Sequence, residues 1–140
     1  MSKHADLLKT VLGLGGDPAD MPFWQACEEG RFTLHRCTLC DQHYWPASYC
    51  VEHGDAAMEW VEVSGEGELY TYTVMHKVAA SAWKDKAPYV VGVIKLDQGP
   101  MFHSNVIDCP AEQVQVGMRL QPVMQKNDQG MTIPLFQPAQ

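Results

Sequence analysis

Apolar residues near the start of the chain recur at helical spacing. Leu7, Leu8, Val11 and Leu12 share one face of a segment from Lys3 to Leu14, which Gly13, Gly15, Gly16 and Pro18 bring to an end. About three turns can form there, too few to persist without something to pack on. Amphipathicity leaves two uses open, a helix lying on its own domain and a helix docking on a partner subunit. A second short helix is expected from Pro22 to Glu29, with Asp20 as N-cap and Gly30 after its end, presenting Phe23, Trp24 and Cys27 on one side. Phe32, Leu34 and Arg36 then alternate as a strand, and Gln42 to Pro46 reads as a short one.

Beyond Gly54 the period changes to two and stays there. Met58, Trp60 and Glu62 form one face of a strand, and Ser64, Gly65 and Gly67 form a bend. Leu69, Thr71, Thr73 and Met75 follow, opposite Tyr70, Tyr72, Val74 and His76. Glycines within such a pattern mark a bulge or a strongly coiled strand, a device small barrels use at corners. Strands are expected at Tyr89 to Leu96, Met101 to Ile107, Met118 to Gln125 and Met131 to Phe136, with a helical turn from Asp108 and Pro110 to Val114. Five to six strands with a small helical insert before the last pair predict a Greek-key barrel of the OB type, a split sandwich being the alternative. The fold class is therefore mainly β with short N-terminal helices. Three parts are expected: helices over 1–30, a ribbon over 31–56 and a barrel over 57–140.

Composition narrows the functions. Hydrophobic residues make up 46% of the 140 positions, enough for a packed core, and no apolar run is long enough to span a membrane. A formal charge of −7 argues against a general polyanion binder, because nucleic-acid affinity rests on neutralising phosphates with Lys and Arg. The N-terminus MSKHADLLKT has no apolar core or small-residue cleavage site, so a cytoplasmic location is expected.

The candidate chemistry lies at CTLCDQHYWPASYCVEH. Cys37 and Cys40 form one C-x-x-C knuckle, and Cys50 and His53 form a C-x-x-H knuckle closed by Gly54. Two such turns supply the four ligands of a tetrahedral zinc site, making a rubredoxin-like zinc ribbon. His43 and Cys27 compete with His53 for the fourth position. Disulfides and buried free thiols are the other readings, and a reducing compartment together with the odd total of five cysteines favours the metal. Tyr44 and Trp45 are expected to cover the metal site or the seam beside it. A closed four-ligand site has no open position, so its role is structural.

Elsewhere the sequence has no P-loop, nucleophile elbow or dinucleotide fingerprint. Cys109 has no neighbouring cation to lower its pKa and reads as a small residue at a turn. His76 and His103 are expected on neighbouring strands, where such a pair is more often structural than an acid/base couple.

The combined order of features resembles the bacterial and archaeal zinc-ribbon plus OB-fold family of acyl-CoA-associated proteins, long catalogued as a domain of unknown function. The resemblance rests on Phe23-Trp24, Gly30, Phe32, Leu34, Arg36-Cys37, the two knuckles with Trp45-Pro46, the run from Trp60 to Gly67, Thr71 to Val74, Pro88 to Val91, and Gly117-Met118. His53 departs from the family's usual cysteine. The family implies a non-catalytic accessory subunit that assembles with thiolases, thiolase-like lyases and related condensing enzymes and helps build their acyl-CoA pocket. A small subunit of this type accompanies an aryl β-keto acyl-CoA thiolase such as benzoylsuccinyl-CoA thiolase. Given that implication, Trp83, Lys84, Lys86 and Tyr89 are the candidates for contacting acyl-CoA, since cationic and stacking groups in one loop suit phosphates and adenine. The alternative is a module for single-stranded nucleic acid, which the acidic charge disfavours.

Overall fold

The computed structural model describes residues 3–77 and 86–140. Among these, helices α1 (Lys3–Gly13) and α2 (Met21–Glu28) precede strands β1 (Phe32–Cys37), β2 (His43–Tyr44), β3 (Met58–Val63), β4 (Gly67–Met75), β5 (Tyr89–Leu96), β6 (Met101–Val106), β7 (Arg119–Lys126) and β8 (Thr132–Pro138). Two compact units result. The first comprises Met1–Val63 with Met124–Ile133, and the second Ser64–Val123 with Pro134–Gln140.

In the first unit α1 packs on its own unit rather than standing free. Val11 is buried with Met21 and Met131, and Leu7, Leu8 and Trp24 pack against them, whereas Leu12 stays 48% exposed, outside the face its spacing predicts. α2 buries Met21, Phe23, Ala26 and Cys27. Phe23 is fully buried and meets Trp24, Phe32 and Trp45 at ring distances of 4.9, 5.5 and 4.1 Å. Such burial contributes about 2 kcal/mol for a ring of this size, with about 1 kcal/mol more for a well-oriented aromatic pair. Asp20 does sit at the start of α2, but its side chain makes no cap there; Oδ1 accepts the Ala47 N–H at 2.7 Å. β1 is the centre of a three-stranded antiparallel sheet in the order β2-β1-β3.

The second unit is built on a closed barrel, β4-β5-β6-β8-β7. β4 pairs with β7 at Gly67↔Leu120 and Glu68↔Arg119 to close it, and β6 meets β8 in parallel at Val106↔Phe136. Closure leaves no exposed edge for mispairing. Leu69, Ile94, Leu96, Leu120 and Phe136, each no more than 1% exposed, fill the interior. This is the expected OB-type barrel.

One strand differs from its periodicity. Leu69 pairs with Ile94 and Thr71 with the adjacent Val93, so Tyr70 is an extra residue in the ladder. Past this bulge the faces exchange. Tyr72, opposite Gly92, now shares the side of Leu69, and its hydroxyl donates to the Val114 carbonyl at 3.1 Å. The expected grouping of Leu69 with Thr71 and Thr73 is therefore wrong.

Arg119 and Asp97 form a two-pronged pair, with Nη1 and Nη2 donating to Oδ1 and Oδ2 at 2.7 and 2.9 Å. These hydrogen bonds hold the Asp97 carboxyl below its usual range. A depressed carboxylate adds stability above its unfolded pKa of about 4 and loses it as pH falls through the folded value. Arg119→Gln is expected to lower stability slightly at neutral pH, both groups being half exposed and screened by solvent, and not at all once the carboxyl is protonated. Urea midpoints measured near neutrality and near pH ~2.5 read the difference. Equal losses at both would show that Arg119 acts by packing alone.

Candidate metal centre

Each knuckle is held by its own backbone. At the first, Cys37 N–H donates to Gln42 O and Asp41 N–H to Cys37 O, at 2.9 and 2.8 Å. At the second, Cys50 and Gly54 exchange hydrogen bonds at 3.0 and 2.9 Å. Both turns leave through a residue with positive φ, Asp41 at 66° and Gly54 at 72°. Glycine takes that conformation freely, whereas Asp41 adopts it as a side-chain-bearing residue while its carboxylate pairs with Arg36. The two knuckles thus share the return hydrogen bond to the first cysteine and the positive-φ exit as well as their spacing.

The four ligand atoms of Cys37, Cys40, Cys50 and His53 lie within 4.8 Å of one another. His53 Nδ1 is 3.6 Å from Cys37 Sγ and 3.5 Å from Cys50 Sγ, and the sulfurs of Cys40 and Cys50 are 3.6 Å apart. A tetrahedron with zinc bond lengths would have edges of about 3.8 Å between sulfurs and about 3.6 Å from nitrogen to sulfur. The donor set therefore fits a zinc ion. Neither of the competing fourth ligands joins the group: His43 lies on β2, and Cys27 is enclosed in α2, where burial pushes its thiol up to about 12.

The surroundings favour thiolate at two of the sulfurs. The Glu52 N–H is the largest influence on Cys50; with the Tyr44 hydroxyl and His53 it outweighs burial and lowers the thiol to about 6. For Cys37, burial is the largest single influence, but the N–H groups of Cys40 and Leu39 together overcome it and the thiol is lowered. His53 is raised in turn by its contacts with Cys50 and Cys37. Tyr44 thus lies against the cluster, also accepting the Val51 N–H at 3.3 Å. Trp45 packs its ring against Phe23 and Trp24.

Two supporting residues escaped the sequence reading. The loop between the knuckles is pinned by Ala47 N–H to Asp20 and by Ser48 N–H to His35 Nδ1 at 2.9 Å. The His35 ring is stacked on Trp60 at 4.7 Å. No spacing rule points to either; only the fold brings them to the loop. Around the cluster Leu39, Tyr49 and Val51 are 69%, 64% and 83% exposed, so each knuckle carries a bare apolar side chain between its ligands.

Of the residues expected to contact acyl-CoA, Trp83 and Lys84 lie outside the described residues, Lys86 is exposed, and Tyr89 is half-buried opposite Met75. His76 and His103 are not cross-strand neighbours. β5 stands between their strands, and His103 aligns through Val93 with Thr71, five positions before His76. Cys109 is half-buried at a turn, its thiol directed at the Pro110 carbonyl.

The model for the ChsH2 C-terminal OB-fold domain matches residues 60–125. A DUF35 domain-containing scaffold protein of Methanocaldococcus jannaschii is 33% identical over 93 residues, 65% of each chain. Among solved structures, a chain of the Ltp2-ChsH2(DUF35) aldolase superimposes with a TM-score of 0.79 at 26% identity, covering 89% of this chain and 97% of that one. The chain is similar to DUF35 proteins in both sequence and fold. A probable enoyl-CoA hydratase alpha subunit of Thermomonospora curvata is 30% identical over 122 residues, 86% of this chain. The chain spans only 38% of that relative's length, as it spans 65% of the archaeal scaffold protein's.

Proposed function

We propose that this chain is a DUF35-type, non-catalytic accessory subunit that assembles with an enzyme acting on CoA esters, of the thiolase or thiolase-like lyase class. The observation that carries the reading is the match to a chain of an aldolase named for two components, Ltp2 and ChsH2(DUF35), over 97% of that chain's length. Two relatives point the same way by name, one a scaffold protein and one a subunit of a probable enoyl-CoA hydratase. In this reading Cys37, Cys40, Cys50 and His53 hold a zinc ion, which supplies a rigid cross-link and no open coordination position. The fixed knuckles then present Leu39, Tyr49 and Val51 to the enzyme as apolar anchors, the kind of side chain that dominates interface energetics when desolvated. The loop with Trp83, Lys84 and Lys86, leading to Tyr89, contributes to the acyl-CoA pocket through stacking and phosphate contacts.

Co-expression with a thiolase-type enzyme from the same genome, followed by size-exclusion chromatography with light scattering, tests the assembly. A joint peak is expected. A double Leu39→Ser, Val51→Ser variant is expected to weaken it by about tenfold or more, at unchanged zinc content. Two separate peaks with unaltered enzyme activity would sink the proposal.

A further inference from the structure

A cleft of about 940 Å³ opens within the first unit, and none of the four candidate metal ligands lines it. Its size falls in the range of small-ligand sites, roughly 300–1,000 Å³. Leu7, Pro22 and Ala26 from the helices and Met131 from the β7–β8 hairpin give it an apolar stripe, and Trp60 on β3 adds an aromatic wall. Thr33 and Glu62 are cross-strand partners on the β1–β3 sheet, so their side chains share one face there.

Two features of this cleft ask for a ligand. Thr33 also lines it, only 4% exposed, and its buried hydroxyl has no hydrogen-bond partner among the described residues. Buried hydroxyls are normally paired, so an orphan beside a cleft marks a place for an incoming group. The second feature is charge. Asp6, Glu28, Glu29 and Glu62 line the cleft against Arg31 and Lys126. Arg31 is already committed to Glu29, with Glu62 3.6 Å away. Glu28 spends one oxygen on the Thr132 N–H at 3.1 Å, and among the described side chains, which begin at residue 5, no cation pairs with Asp6 or Glu28.

We propose that this cleft binds an alkylammonium or guanidinium cation carried on a short apolar stem. An anion would face four carboxylates, and a neutral ligand would leave Asp6 and Glu28 uncompensated. A cation answers both, and it brings the N–H donors that the Thr33 hydroxyl accepts. The Trp60 ring attracts such a charge through its face, and the stripe of Leu7, Ala26 and Met131 covers the stem. Two sources carry this chemistry, a lysine or arginine side chain on a peptide and a free polyamine. The site is independent of the accessory-subunit reading.

The test titrates the full-length, zinc-loaded chain with spermidine and, separately, with a blocked peptide alternating leucine with lysine and arginine. Amide and indole N–H shifts are followed by NMR. Saturable shifts at Ala26, Thr33 and Trp60 are expected for at least one probe, and whichever binds more tightly identifies the source. Glu28→Gln and Thr33→Val are each expected to weaken binding by about tenfold. Thr33→Val keeps the side-chain shape and removes an unpaired hydroxyl, so its melting temperature should be unchanged or higher; that separates lost recognition from lost folding. Equal binding of a glutamine-substituted peptide, no binding of either probe up to about 1 mM, or full binding by Thr33→Val would overturn the site.

Discussion

Replacing Cys37 with serine is expected to abolish stoichiometric zinc binding and to lower the melting temperature by more than about 10 °C. Cys37 is fully buried, closes β1, and receives N–H groups from Cys40 and Leu39 on its sulfur. The ribbon beyond it has little apolar mass: β2 is two residues long and half-buried, and Cys50 meets Gly54 only through an isolated bridge. A segment built this way depends on its ion in place of a core. Serine removes a thiolate and leaves a hydroxyl that is a poor zinc ligand at neutral pH. Zinc content by chelator colorimetry and thermal melts of chelated and loaded protein decide it. Full zinc occupancy in the variant, or an unchanged melt after chelation of the parent protein, would show that the cluster does not hold the ribbon together.

Gly67→Ala is expected to destabilise the barrel by about 3 kcal/mol. A Cβ at this position would stand 2.3 Å from the Lys95 carbonyl oxygen and 2.9 Å from Leu96 Cα, distances at which backbone must move. Gly67 pairs with Leu96 on one side and Leu120 on the other, at the point where the barrel closes. A shift there therefore disturbs two ladders at once. Gly92→Ala is the control, because its added methyl would meet the Leu69 Cδ1 atom at 2.9 Å, the end of a side chain that can rotate away. Urea denaturation should rank Gly67→Ala well below Gly92→Ala. Equal midpoints would mean that the β4–β5 separation at Gly67 is adjustable.

Legibility in the sequence followed the kind of information each feature uses. β5 is bounded as its apolar, β-branched run and its Asp97-Gln98-Gly99 turn predict, because such a run and turn residues are local signals. The knuckle spacing likewise brought Cys37, Cys40, Cys50 and His53 to one place. Faces along β4 were not legible, since the bulge at Tyr70 is a matter of how two strands slip past each other and leaves no mark on hydropathy. Asp41 hid for a related reason: a positive φ is announced by glycine at position 54, whereas aspartate in the equivalent turn announces nothing. The cleft was least visible, being gathered from α1, α2, the β1–β3 sheet and a hairpin near the other end of the chain.

That hairpin sets a schedule for the chain's biogenesis. The first unit is discontinuous, and Met131, 5% exposed, packs with Val11 and Met21 at a sequence distance of more than a hundred residues. A ribosome therefore finishes both helices and the ribbon long before it makes the residue that completes their core. During that interval Val11 and Met21 lack one of their apolar partners, whereas all four candidate metal ligands of the knuckles have already been made. Barrel strands β4 to β7 are synthesised in between, so the helical core, although the first part to be translated, is completed only as the last barrel strand, β8, is about to follow.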